Sequence, residues 1–351
     1  MKALIAMSGG VDSSVAAYLM KEYDRIGCTM RLFDSDEDEA VSENTCCSIK
    51  DVDDARAVCA RLGIPYYVFN FKDDFKEMII DRFVESYRKG LTPNPCIDCN
   101  RYMKFDKLLS RARELECDLV VTGHYARVEE ENGRFLLKKA VDEKKDQSYV
   151  LYSLTQDQLS HIRFPLGELK KDEVRAIAEE NGFVNAKKKD SQDICFVPDG
   201  DYAAFIERYA GEAEKGDFLL SSGEKVGERK GIVHYTLGQR KHLGIALGKP
   251  VFVTKIDAEH NTVTLGDEEE LLKCEALVRD FNWIAGEAPD QPVRCTAKTR
   301  YRQREAKATA YPQEDGSVRI VFDTPVRAIT PGQAAVIYDG DIVLGGGVIV
   351  Q

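Results

Sequence analysis

Apolar residues in the first half of the chain alternate between two rhythms. The short run Leu4-Ile5-Ala6-Met7 reads as a buried strand, Val11, Val15, Leu19 and Met20 recur at helical spacing, and residues 26–32 read as a second strand. Val52, Ala55, Cys59 and Leu62 repeat the helical pattern until Gly63 and Pro65 stop it, and residues 66–71 form the next strand. Phe75, Ile79 and Phe83 mark another helix. Phe105, Leu108, Leu109, Ala112 and Leu115 mark one more, before a strand at 119–122 and the pair Gly123-His124. Strands alternating with helices predict an α/β fold, a doubly wound parallel sheet whose ligands sit beyond the carboxyl ends of the strands. Residues 8–14 and 123–124 both fall there.

The rhythm then changes twice. From 151 to 199 the pattern is helical, with Val174, Ile177 and Ala178 before Gly182. After 211 glycines become frequent (Gly223, Gly227, Gly231, Gly238, Gly244, Gly248), and short strand patterns follow at 251–256, 262–265, 293–299, 318–322 and 334–338, with turn signals Asp315-Gly316 and Asp339-Gly340. The expected organisation is a catalytic domain over 1–200 with a helical part, a small linking domain over 201–270, and a C-terminal antiparallel β-barrel over 271–351.

Composition narrows the setting. A length of 351 residues fits two or three domains. No apolar run approaches a membrane span, and the first apolar run leads straight into a glycine turn, so it reads as a strand and not a signal peptide. A cytoplasmic protein is expected. Its ten cysteines (Cys28, Cys46, Cys47, Cys59, Cys96, Cys99, Cys117, Cys195, Cys274, Cys295) are then expected to be reduced, so clusters among them point to redox, metal or sulfur chemistry before disulfides. Cys46-Cys47 reads as buried filler or as a sulfur-handling pair, with filler preferred. A net charge of −11 argues by itself against a nucleic-acid partner. Yet acidity is concentrated in runs such as 34–39 and 267–270, while basic residues bunch at 187–189, 240–242 and 300–304. One such bunch is usually a solvated face; three on separate elements begin to look like a footprint for phosphates.

The chemistry starts at Ser8-Gly9-Gly10-Val11-Asp12-Ser13-Ser14. A strand that breaks at two glycines and enters a helix aims backbone N–H groups and the positive helix end at one point, which suits an anion. A P-loop would need a Lys-Ser/Thr pair and a dinucleotide fold G-x-G-x-x-G, and the stretch has neither. It resembles the SGG-x-DS pyrophosphate loop of the N-type ATP pyrophosphatases; the plain alternative is an ordinary glycine-rich strand-to-helix turn. A second stretch, Pro93-Asn94-Pro95-Cys96-Ile97-Asp98-Cys99-Asn100, puts two thiols near a helix start, where the dipole favours thiolate. A C-x-x-C alone fits half a zinc site, a dithiol, or part of an iron–sulfur ligand set. A third stretch places Cys195 a few residues beyond Lys187-Lys188-Lys189, although a lone cysteine is more often a small buried hydrophobe.

Taken with Thr122-Gly123-His124-Tyr125, Lys145-Asp146-Gln147-Ser148-Tyr149, Tyr235-Thr236-Leu237-Gly238-Gln239-Arg240-Lys241, Arg300-Tyr301-Arg302-Gln303 and Thr330-Pro331-Gly332-Gln333, these stretches occur in the order seen in bacterial tRNA-specific 2-thiouridylases. The resemblance spans nearly the whole chain. It implies an adenine nucleotide alpha hydrolase-like fold and an enzyme that adenylates the C2 oxygen of a wobble uridine in tRNA, replaces it with sulfur, and releases AMP and pyrophosphate. It implies ATP on Ala6, Met7, Ser8, Gly9, Gly10, Val11, Asp12, Ser13, Met30 and Gly123, with Mg2+ bridging the phosphates. Contacts to a tRNA of the glutamate, glutamine or lysine type are implied for Asn94, Pro95, Cys96, His124, Lys145, Asp146, Gln147, Arg300, Tyr301 and Gln333. Cys99 matches the family's nucleophile and Cys195 its persulfide carrier; the sulfur donor implied is a cysteine desulfurase, a sulfur relay protein or inorganic sulfide.

One position departs from that pattern. Better-known members carry aspartate three residues before the nucleophilic cysteine, and this chain has Cys96. Either Asp98 takes over the carboxylate's role or the chemistry differs: Cys96, Cys99 and Cys195 could together ligate a [4Fe-4S] cluster whose open iron delivers hydrosulfide. The extra cysteine favours the cluster slightly over a Cys195 persulfide. Two other functions compete, an amidating or ligase-type ATP pyrophosphatase, which needs neither Cys99 nor Cys195, and a zinc-stabilised tRNA-binding protein that releases no pyrophosphate.

Overall fold

The computed structural model describes residues 1–33, 49–190, 194–197 and 199–350; Cys46 and Cys47 lie outside them. Seven strands come first: β1 (Lys2–Ala6), β2 (Asp24–Arg31), β3 (Tyr66–Asn70), β4 (Leu119–Val121), β5 (Ala126–Glu131), β6 (Arg134–Lys139) and β7 (Ile162–Arg163). Five of them make a parallel sheet in the order β3-β2-β1-β4-β7. Alternation along β1 and β4 explains how both faces are buried. Leu4 and Val120 enter one core with Phe75, Phe83, Met103 and Phe196, whereas Ala3, Ile5, Leu119 and Val121 enter the opposite core with Val15, Ala55 and Val174. Leu4 and Ile5 are fully buried, and each such side chain contributes about 1.5–3 kcal/mol. This is the doubly wound arrangement the sequence predicts.

The order reverses at β1, which lies between β2 and β4, so the carboxyl ends of β1 and β4 open side by side at the switch point where such sheets bind ligands. Helix α1 (Val11–Leu19) leaves the β1 end, and α2 (Ile49–Leu62) packs against β2 and β3. The helical pattern expected from 151 to 199 is interrupted by β7, whose Ile162 pairs with Val120 and extends the sheet.

A second sheet holds β8 (Gly216–Leu220), β9 (Lys225–Arg229), β10 (Phe252–Asp257) and β11 (Thr262–Gly266), in the order β10-β11-β8-β9 around Phe218, Tyr235, Val253 and Val263. The last strands are β12 (Leu272–Trp283), β13 (Val293–Lys298), β14 (Ala306–Pro312), β15 (Val318–Arg327), β16 (Ala334–Asp339) and β17 (Ile342–Ile349). They run antiparallel in the order β12-β15-β14-β13-β16-β17, and β12 pairs with β17 to close a six-stranded barrel. The β5–β6 hairpin joins that barrel, since Lys138 of β6 lies in register with Ile342 of β17 and Arg127 of β5 pairs with Asp341. No helix among the described residues is long and apolar enough to cross a membrane.

Candidate active site

The loop after β1 is shaped by what its glycines exclude. Gly9 has φ of +72°, and a Cβ there would lie 2.4 Å from the Asp51 carbonyl oxygen at the start of α2; the position admits only glycine. Gly10 caps α1 with no side-chain cap bond, which leaves the first-turn N–H groups to a ligand. Ser13 Oγ donates to the Gly10 carbonyl at 3.0 Å and accepts from the Ser8 amide at 3.2 Å, and Ser14 Oγ donates to the same carbonyl at 3.0 Å. Gly123, after β4, meets the loop from the other side: a Cβ there would lie 2.9 Å from Asp12 C and Ser13 N. Ala6 and Met30 stand near the carboxyl ends of β1 and β2, and Met7 and Val11 are buried beneath the loop. The result is a glycine-walled cradle of backbone donors at a helix start, the geometry that holds a phosphate chain.

Charge beside the cradle is organised by a lysine that the sequence reading passed over. Lys171 Nζ, almost fully buried, donates to both Asp12 carboxylate oxygens at 2.7 and 2.8 Å and pairs with Asp190 at 2.8 Å. Tyr125 OH donates to Asp12 at 2.8 Å. Asp190 also takes Lys145 at 2.7 Å and Arg175 at 2.9 Å; burial pushes its carboxyl up, but Lys145 and Lys171 outweigh that and hold it below the usual carboxylate range. In the sequence Lys171 sits within Lys170-Lys171-Asp172-Glu173, which looks like an ordinary solvated charge run.

His124 lies inside the protein. It packs against Phe105 and Phe164, faces Thr122 Oγ1 through Nδ1 at 2.6 Å and Lys104 Nζ through Nε2 at 3.4 Å. Burial, reinforced by the Lys104 charge, holds its pKa well below the ordinary histidine value, so the ring is neutral, with Nε2 accepting from Lys104 and Nδ1 donating to Thr122.

The two thiols of the C-x-x-C stretch stand at the head of a long helical run. Asn94 accepts the Cys96 amide at 3.2 Å as N-cap, Pro95 occupies the first turn of Pro95–Asp98, and Cys99 opens the π-helical stretch Cys99–Lys107. Cys96 is exposed, whereas Cys99 and Cys195 are partly buried and both pack against the core that holds Phe83 and Phe196. Two thiols 96 residues apart in sequence therefore border one cluster. Asp98 is held largely out of water, and burial pushes its carboxyl up against the opposing pull of Arg82 and Arg101. Among the described residues no set of three or more Cys, His, Asp and Glu side chains is gathered closely enough to hold a metal ion.

The barrel reaches this thiol region through its loop 330–333. Thr92 donates to the Pro331 carbonyl at 3.0 Å and its own carbonyl accepts from Gln333 Nε2 at 2.7 Å, just before the C-x-x-C turn. Arg300 donates to the Leu237 carbonyl at 2.9 Å and to Thr330, which ties the barrel to the middle sheet. Tyr301 is exposed, lies 5.9 Å from Tyr149 and donates to the Asp146 carbonyl at 3.2 Å. The Asp146 carboxylate is buried, accepting from the Ala140 and Ser148 amides, and Gln147 Oε1 accepts the Tyr125 amide at 3.0 Å. Of the residues expected to meet tRNA, then, Cys96 and Tyr301 are exposed, although the Tyr301 hydroxyl is bonded within the protein, and His124, Asp146, Arg300 and Gln333 also spend polar atoms on the protein itself.

The comparisons agree with this layout. A family profile described as "tRNA methyl transferase HUP domain" matches residues 1–199, one described as "tRNA methyl transferase PRC-barrel domain" matches 203–267, and one described as "Aminomethyltransferase beta-barrel domain" matches 273–349. The chain is 52% identical to the tRNA-specific 2-thiouridylase MnmA of Acetivibrio thermocellus, covering 99% of each protein. It is likewise 52% identical to the Clostridium acetobutylicum protein of that name over 99% of both. The "tRNA-specific 2-thiouridylase MnmA 1" of a Thermoanaerobacter species is 53% identical, over 99% of this chain and 97% of that one. With half its residues identical from end to end, and the glycine cradle and paired thiols in place, the chain belongs to the tRNA-specific 2-thiouridylase family.

Proposed function

We propose that this protein is a tRNA-uridine 2-sulfurtransferase, which uses ATP to replace the C2 oxygen of a tRNA uridine, at the wobble position, by sulfur. The observation that carries the reading is the glycine cradle at the β1/β4 switch point together with Cys99 and Cys195 on a shared core. ATP would lie with its phosphates on the Gly9–Gly10 loop, and its magnesium would offset the charge that builds on the departing pyrophosphate. The uridine O2 attacks the α-phosphorus, the bond to pyrophosphate breaks, and the base becomes an O-adenylate. AMP is then a far better leaving group than oxide, so a sulfur nucleophile can add at C2 and expel it. The target base must leave its stack to reach that point, and the exposure of Tyr301 and Cys96 supports a role for them in contacting the RNA.

For the sulfur we infer a persulfide on Cys195, loaded by a persulfide-bearing donor protein. The Cys99 thiolate attacks the Cys195 sulfur, the terminal sulfur departs to C2 as hydrosulfide, and a Cys99–Cys195 disulfide remains for a dithiol reductant to open. The cluster route needs Cys96, Cys99 and Cys195 drawn together as ligands. Among the described residues these thiols are not gathered closely enough to ligate a cluster. Replacing Cys96 with Asp separates the two routes, since the persulfide route keeps its activity and a cluster loses a ligand. The ten cysteines are suited to a reducing cytoplasm.

The test is a thiolation assay on unmodified tRNA with ATP and a persulfide donor, following pyrophosphate release and 2-thiouridine by mass spectrometry. Both products in the intact protein, with 2-thiouridine lost in Cys99→Ser and Cys195→Ser, support the reading. Pyrophosphate release without any thiolated base would return the protein to the ligase-type enzymes, and no pyrophosphate at all would leave only RNA binding.

A further inference from the structure

The cradle's peptide orientation is set from outside the loop. The Gly9 carbonyl accepts from Asn185 Nδ2 at 2.9 Å and from Lys188 Nζ at 3.2 Å, both carried by the segment that follows the helix Lys171–Glu180. The bond between Gly9 and Gly10 is trans, since the described chain has no cis peptides. In a planar trans unit the C=O and the next N–H point in opposite directions. A Gly9 carbonyl held toward Asn185 and Lys188 therefore turns the Gly10 N–H away from them. Among the described residues no protein acceptor takes that N–H. Two adjacent glycines otherwise allow this peptide to rotate at small cost, and a flipped unit would offer an oxygen to the phosphates where a donor is needed.

Two further features mark this as a built device. Asn185 is 97% buried, its Nδ2 also donates to Ser14 Oγ at 2.9 Å, and its Oδ1 has no partner among the described residues. A buried acceptor left unmatched costs stability, yet an amide stands here with both bonds made through its donor end. Because Ser14 Oγ gives its own proton to the Gly10 carbonyl, it is an acceptor toward Asn185, which fixes the amide's orientation. Lys188 is matched by the Asp51 and Asp54 carboxylates at 2.5 and 2.8 Å. Its charge is thus already balanced, and what it offers the loop is a directed N–H. Burial works against that charge, but the two carboxylates outweigh it and keep the ammonium protonated.

We infer that Asn185 and Lys188 are positioning residues of the phosphate loop, holding the Gly9 carbonyl outward so that the Gly10 N–H is aimed at the bound pyrophosphate moiety. The inference rests on the proposed ATP site. Its test is calorimetric titration of the intact protein with ATP, inorganic pyrophosphate and AMP. Asn185→Asp, which swaps the donor for a repelling oxygen, should weaken ATP and pyrophosphate by a common factor of about ten, and Lys188→Met by about five. AMP, which leaves the pyrophosphate part of the loop empty, should bind all variants within about twofold of the parent. Lys188→Arg, which restores a charged donor, should recover most of the loss. Variants that bind pyrophosphate as the parent does, or that lose AMP in parallel with pyrophosphate, overturn the inference. A parent protein that binds neither ATP nor pyrophosphate overturns the proposed function instead.

Discussion

The phosphate loop and the thiol turn are held in different ways. The loop is fixed from within its own domain: Gly9 is pressed against Asp51, Asp12 is gripped by Lys171 and Tyr125, and Ser13 and Ser14 tie back to Gly10. The thiol turn, capped by its own Asn94, is held in addition from outside its domain, by Gln333 and Pro331 of a barrel loop, Gln333 lying 241 residues from Thr92, on which both act. The difference teaches a division of labour. On the proposed function, ATP would meet a site whose donors are already aimed, which is where electrostatic stabilisation is most effective. Sulfur transfer would then take place near a border between domains, where a tRNA bridging catalytic domain and barrel would be felt.

Four changes sharpen or break that division. The largest effect is expected from Cys195→Ser or Cys99→Ser, which should reduce 2-thiouridine formation on the order of 10³-fold or more while pyrophosphate binding by calorimetry stays unchanged. Gly9→Ala comes next and strikes the other side. The methyl would sit 2.4 Å from the Asp51 carbonyl at φ of +72°, with about 1–3 kcal/mol of backbone strain in addition to the overlap. ATP affinity should fall at least about tenfold, a loss visible in the same titration.

The third change uses pH. Folded His124 has its pKa well below the unfolded value of 6.5. In the window below that value the unfolded chain takes up a proton that the folded one refuses, so stability is full above pH 6.5 and falls as pH drops, until the folded pKa is passed. Urea unfolding across this range should show a slope of up to about 1.4 kcal/mol per pH unit from this residue, and His124→Gln should remove it. The smallest effect is expected from Gln333→Ala, which gives up one hydrogen bond worth about 1 kcal/mol. It should slow thiolation about fivefold and leave ATP binding intact. Equal damage to both would erase the distinction between loop and thiol turn.

What the sequence made legible follows from the same contrast. Residues 2–19 could be read because a short continuous apolar run, two glycines and helical spacing are local signals, and the doubly wound sheet follows from them and their repetition along the chain. The β5–β6 hairpin went unread although Asn132-Gly133, both with positive φ, is the dipeptide that marks such a turn. Lys171 escaped notice because its meaning comes from partners distant in sequence, Asp12, 159 residues away, and Asp190. His124, expected at the RNA, shares its motif with a strand end, and only packing against Phe105 and Phe164 reveals it as interior. The basic bunches also divide in three dimensions. Lys188 and Arg300 turn inward, while Lys187, Lys189, Arg302 and Arg304 stay exposed and available to phosphates.

On the proposed function, ATP activates the uridine O2 and sulfur then displaces that oxygen as part of AMP. This order of events is tested most directly with tRNA carrying ¹⁸O at C2 of the target uridine, incubated with ATP, the protein and a persulfide donor. AMP should bear the ¹⁸O, in step with 2-thiouridine formed. Unlabelled AMP alongside thiolated tRNA would contradict it, because the oxygen would then have left by a route that never joined the nucleotide.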